Sequence, residues 1–225
     1  MGRDLLVAVV RPTLPPAPFP AGVRGPGACS PSAPIRPPRH RDPAGGDFTV
    51  REVIAIPAEP AGPGGLPPAL RPFGAVPPLV TDINLSVDDR WPYVSAWGTG
   101  ELLQYDVGDP FHPRRTASAR LGGITARAPH PSAPQTPRSG GPQLVELSRD
   151  GRRVYLTNSL YGSGDDQFYP DGVEPWPIGL DAGPAAGGLT VDRRFFPHGA
   201  HFRGRRVHQT HLRGGDASSD SYCYR

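Results

Sequence analysis

Ser86-Val87-Asp88-Asp89-Arg90-Trp91-Pro92-Tyr93-Val94-Ser95 recurs 62 residues later as Ser148-Arg149-Asp150-Gly151-Arg152-Arg153-Val154-Tyr155-Leu156-Thr157. Serine, aspartate, arginine, tyrosine, an aliphatic and a hydroxyl residue fall at the same offsets in both copies. In each copy an apolar run leads into Asp-Asp or Asp-Gly, pairs that favour the positive φ angles of a two-residue hairpin, and an aromatic and β-branched run follows. Each copy therefore reads as two antiparallel strands. After the first copy, Gly98-Thr99-Gly100 turns the chain into a third strand from Glu101 to Val107. Three or four antiparallel strands repeating at an interval of tens of residues are the pattern of propeller blades.

Working outward, a weaker third unit is traced through Pro177 to Asp181, Gly188 to Val191 and Arg205 to Gln209, and Phe48 to Ile56 is a β-branched strand ending at Pro57. The expected fold is all-β: an incomplete β-propeller of about three blades. Propellers close with roughly four to eight blades, so this many would leave two sheet faces unburied. A helical bundle is excluded, because no long stretch is free of Pro and Gly.

Proline divides the chain: 19 of its 32 prolines precede residue 79. Residues 1–46 show no alternation that could bury a face, so their ordering entropy has no offset. They are expected to form a disordered Pro/Gly-rich arm, with the blades in 47–225. Net charge is +3, but all 24 basic residues are arginines interspersed with 21 acidic ones, which argues against a nucleic-acid partner. Cys29 and Cys223 lie too far apart in sequence to imply a disulfide framework or zinc ribbon. The longest apolar run, Leu5 to Val10, is too short to span a membrane. A cytoplasmic protein is the expectation.

From Asp47 onward the sequence resembles the C-terminal half of the selenium-binding protein / methanethiol oxidase family. The residues carrying the resemblance are Leu79 to Ile83, Ser86, Asp88-Asp89-Arg90, Tyr93, Ser95, Trp97, Gly100, Gln104-Tyr105-Asp106, Asp109-Pro110 and Gly140 to Gln143. Further on come Ser159-Leu160-Tyr161, Asp165, Gln167 to Pro170, His208-Gln209, Gly214-Gly215-Asp216 and Ser218-Ser219-Asp220. The resemblance implies a single large propeller. It also implies copper and oxidation of methanethiol with O₂ to formaldehyde, hydrogen sulfide and hydrogen peroxide, with selenium carried on a cysteine. Family members are longer, so a separate chain supplying the remaining blades is a further expectation. Cys29 matches no family cysteine motif, and Ala217 and Gly164 depart from the usual residues. No selenium-binding cysteine is therefore assigned.

For chemistry, His208 has two readings: a metal ligand lining the central channel, or a hydrogen-bonded core histidine at a blade's inner edge. On a strand, His208 and His211 would point to opposite faces and could not share one metal. His198, His201 and His211 are read as surface residues, and His112 and His130, flanking prolines, as loop residues. Asp88, Asp89 and Asp150 are read as turn residues. Asp216, Ser218, Ser219 and Asp220 follow a Gly-Gly pair, whose backbone can approach a channel or ligand closely. They join Gln167 and Tyr169 as channel-facing candidates. Ring-closing hydrogen bonds are the alternative for the first group, and packing under the loop is the alternative for Phe168 and Tyr169. The competing function is a non-catalytic propeller module holding a selenium species or a protein partner.

Overall fold

The computed structural model describes residues 8–13, 51–183 and 187–210. Strand β1 (Ala8–Thr13) pairs with β2 (Arg51–Pro57), and β3 (Glu59–Pro60) pairs with β4 (Ala75–Val76). The first four-stranded sheet follows: β5 (Val80–Leu85), β6 (Pro92–Ala96), β7 (Glu101–Asp106) and β8 (Arg114–Arg120). A second short pair, β9 (Ala128–His130) and β10 (Ala133–Arg138), leads to the second sheet. That sheet holds β11 (Val145–Leu147), β12 (Arg153–Thr157), β13 (Pro177–Ala182) and β14 (Leu189–Val191). Each four-stranded sheet is an antiparallel meander in sequence order. The described residues are all-β apart from helix α1 (Gly162–Phe168) and three single 3₁₀ turns.

The repeat seen in sequence is a repeat in structure, but its turns differ from the expected two-residue form. Ser86 and Ser148 each accept a backbone N–H three residues on, from Asp89 and Gly151. Their hydroxyls donate to Asp88 and Asp150 at 2.5 Å and accept the N–H of Trp91 and Arg153. Four residues therefore separate Ser from its strand partner. Only the third of them, Asp89 (φ +59°) or Gly151 (φ +67°), is left-handed. The Ser hydroxyl is the reason: it satisfies both the carboxylate and the returning strand, so a wider loop closes without unpaired donors.

The two sheets pack face to face. Tyr93 of β6 and Leu102 of β7 meet Val145, Leu147, Val154, Leu156, Ile178 and Leu180 of the second sheet, with Trp91 and Trp176 at the margins. Leu102 and Leu156 are 0% exposed, and each such side chain stabilises by about 1.5–3 kcal/mol relative to exposure. Between the inner strands β5 and β11, side chains bond to backbone where no sheet ladder can form. Thr81 donates to Gln143 O (2.8 Å), Asn84 donates to Val145 O (3.0 Å), and Val145 N–H donates to Asp82 (2.7 Å). Burial raises the Asp82 carboxyl pKa against the lowering effect of that Val145 bond. Gly141 is required at the crossing, since a Cβ there would lie 1.8 Å from Trp97 O.

Three expectations are corrected. Pro177 to Asp181 and Gly188 to Val191 belong to the second sheet as β13 and β14, not to a third unit. The outer faces of the sheets are not bare either. Ile54 and Ile56 of β2 cover Val94, Ala96, Leu103 and Tyr105, while Phe195 packs on Gly179 and lies edge-on to Tyr155. Finally, the arm 1–46 contains a strand. Ala8–Thr13 lies beside β2 in a parallel backbone pairing, which needs no alternating face, and the rest of that arm lies outside the described residues.

Candidate functional site

The site is built where the chain returns past the inner end of the second sheet. Ser95 of β6 donates to Pro142 O at 2.5 Å, and its repeat equivalent Thr157 donates to His208 O at 2.6 Å. His208 thus occupies in the next turn of the chain the place that Pro142 occupies in the second sheet, and Gln209 follows as Gln143 does. Gln209 donates to Glu146 at 3.0 Å, 63 residues away. The segment around His208 therefore meets Thr157 as the segment around Pro142 meets Ser95, while Arg205 to Gln209, expected as the last part of a third unit, forms no strand.

A buried carboxylate fixes this segment. Asp165, in α1, is 0% exposed. It accepts from the Ser159 hydroxyl (2.6 Å), from Leu160 N–H (2.9 Å) and from Arg206 Nη1 (2.7 Å), while Arg206 Nη2 reaches Asp166 (2.6 Å). Ser159 N–H donates to Val207 O. Asp165 and Arg206 are 41 residues apart, so local sequence carries no signal for the pair. The His208 ring is exposed, and its Nδ1 lies 3.1 Å from Ser159 O. That carbonyl accepts only an N–H, which places the proton on Nδ1 and leaves Nε2 as the free lone pair.

The remaining candidates are placed as follows. Tyr169 is 4% exposed, packs edge-on against Trp97 beside Phe168, and accepts Gly141 N–H at 3.2 Å. Burial raises its pKa, so it keeps its proton near neutrality. Gln167 is exposed and donates to Ser163 O within its own helix. Asp216, Ser218, Ser219, Asp220 and His211 lie outside the described residues. Asp88 and Asp150 are bound by their turn serines on either side of a shallow groove. His198 and His201 are exposed, each with Nδ1 on a backbone carbonyl.

His130 corrects its expectation as a loop residue, since it lies on β9 with 0% exposure. It stacks on Phe196 (centroids 4.0 Å), and Arg138 sits over the same ring at 4.5 Å. Burial first, then the Arg138 cation, lowers the His130 pKa to about 4, and burial lowers that of Arg138 to about 10. Proline on both sides concealed this, because Phe196, the ring that stacks on His130, lies far along the chain.

Among the described residues no three His, Cys, Asp or Glu side chains converge on a point that could hold a metal. One imidazole with a free Nε2 does not make a redox copper centre, so the described residues do not fit that group.

Residues 35–223 match the family model described as 56 kDa selenium binding protein. Methanethiol oxidase from Homo sapiens is 37% identical over 195 residues, covering 78% of this chain and 40% of that protein. Selenium-binding protein 1 from Arabidopsis thaliana is 34% identical over 168 residues, covering 64% of this chain and 34% of that protein. An X-ray structure of a hypothetical selenium-binding protein from Sulfolobus tokodaii superposes with a TM-score of 0.69 at 54% identity, covering 78% of this chain and 37% of that one. The chain thus spans about 40% of the length of the curated methanethiol oxidases it matches. With residues 35–223 matched by its model, the chain belongs to the 56 kDa selenium-binding protein family.

Proposed function

We propose that this chain contributes blades to a β-propeller ring that oxidises methanethiol, and that residues 1–225 alone do not turn it over. The balanced reaction is CH₃SH + O₂ + H₂O → HCHO + H₂S + H₂O₂. In this reading 47–225 is the blade-forming region, the preceding arm is separate, and the protein is cytoplasmic. One observation carries it: equivalent side-chain-to-backbone bonds join successive repeats, Ser95 to Pro142 and then Thr157 to His208. An open series of sheets linked this way continues until it closes on itself. Relatives named methanethiol oxidase support the substrate class. Among the described residues no helix is long and apolar enough to cross a membrane.

Copper is the redox metal the proposal assigns to the complete ring, and His208 is the one described side chain it assigns to that metal. Asp216, Ser218, Ser219 and Asp220 are kept as channel-facing candidates. A stable centre needs several ligands held by a rigid shell, and these would come from residues beyond the described set. The test is metal content by mass spectrometry, together with sulfide, peroxide and formaldehyde release from methanethiol. Purified 1–225 should show neither stoichiometric copper nor product. Supplied with a chain carrying the other blades, it should show both and lose both on His208→Ala. Turnover by 1–225 with metal bound would refute the proposal, and a closed ring that binds selenite without copper or turnover would favour a binding module.

A further inference from the structure

Strand β2 stands in the chain order where the outermost strand of a four-stranded meander would stand. Each four-stranded meander ends in an outer strand, and β8 is followed by a short pair, β9–β10, and then by the next inner strand β11. The same order occurs one step earlier: β2, then the short pair β3–β4, then the inner strand β5. The spacing agrees. Ile54 and Ile56, which face the first sheet, precede by 63 residues Ala117 and Ala119 of β8, and Ala119 packs against the core between the two sheets. Lateral ties repeat as well, with Glu59 paired to Arg120 and Ser132 bonded to Arg193 O, each 61 residues apart.

The β8 strand has an antiparallel third strand beside it, β7, with Gln104 opposite Ala117 and Leu102 opposite Ala119. The partner of β2 is β1. Theirs is the one parallel pairing among the described strands, its register slips between Val9 and Val10, and Pro12 has no N–H to give the ladder. Parallel pairing is the less stable kind per residue, and a bulge and a proline each remove a ladder bond. By contrast β2 does not depend on β1 for its position, because Ile54 and Ile56 are 7% and 6% exposed against the first sheet.

We propose that β2 is a strand-acceptor site that takes an antiparallel strand of the β7 type from another polypeptide chain, and that β1 is a displaceable occupant of that slot. Recognition is by main-chain ladder bonds, with alternate aliphatic side chains setting the register. This rests on the ring reading above, but its test is separate from enzymatic complementation, so either can fail alone.

The probe is a fluorescein-labelled peptide with the sequence of Gly100 to Val107. Full-length 1–225 should bind it with an anisotropy increase, and hydrogen exchange should show amides of 8–13 losing protection while those of 51–57 keep theirs. Val10→Pro, and separately deletion of residues 1–46, should tighten binding at least tenfold, since neither variant retains the competing strand. Equal affinity for wild type and both variants would show that β1 does not hold the slot, and no binding to any of the three would overturn the site. A peptide of the same composition in scrambled order should bind none of them, and binding by it would equally refute the assignment.

Discussion

Asp165→Asn tests the anchor that holds the His208 segment. The carboxylate has no exposure and three donors, Ser159, Leu160 and Arg206. An amide keeps one acceptor oxygen, which can stay on Leu160 N–H. Its NH₂ then replaces the oxygen that accepted from both Ser159 and Arg206. The Ser159 hydroxyl can rotate to accept instead, but Arg206 now meets a donor. Hydrogen bonds to charged groups contribute about 1.5–3 kcal/mol each. The Arg206 side chain is 32% exposed, so water screens its share to about 1 kcal/mol. Losing the charge on the two buried bonds costs about 1 kcal/mol each, for a total of about 3 kcal/mol. Urea unfolding followed by tryptophan fluorescence reads this directly, because Trp97 packs against Phe168 and Tyr169 of the same segment. The midpoint should fall with the slope unchanged. Arg206→Ala should cost less, about 1 kcal/mol, since Asp165 keeps two buried donors and gains water. An Asp165→Asn cost below 1 kcal/mol, or one smaller than that of Arg206→Ala, would refute this account.

The turn serines should be interchangeable in energy: Ser86→Ala and Ser148→Ala each remove the hydroxyl bonds to the turn aspartate and to the returning N–H and should cost about 2 kcal/mol in the same urea assay, and a difference above about 1 kcal/mol would show that the turns are not equivalent. Asp150 is held below its usual pKa first by the Ser148 hydroxyl, so its contribution is present above pH 4 and lost as the pH falls further; Ser148→Ala should flatten that part of the stability–pH curve. His130 runs the same way at higher pH. Its folded pKa of about 4 lies below that of the unfolded chain, so stability should decline as pH falls from about 6.5 towards 4, and His130→Gln should remove that slope. Leu156→Ala should cost about 2–5 kcal/mol from the inter-sheet core, while Val87→Ser, at a position 71% exposed, should leave the unfolding midpoint where it is.

The repeat around Ser86 and Ser148, the strand phases on β6, β7 and β12 and the family were legible in the chain because they rest on local chemistry. A serine two residues before an aspartate, a positive-φ position and an alternation of period two are read within ten residues of one another. What lay beyond the sequence was every decision made between segments far apart. Strands β13 and β14 join the second sheet, not a third, because Ile178 and Leu180 fill the core that Leu102 and Tyr93 leave open, and no spacing along the chain records that volume. His130 is buried by Phe196 and Arg138, although its flanking prolines read as loop. Asp165 and Arg206 find each other across 41 residues, and β1 finds β2 through backbone groups that every residue but proline carries. Period and turn chemistry are properties of a short stretch of chain. Which apolar face covers which, and which buried charge meets which partner, are settled only when the sheets close on one another and water is excluded between them.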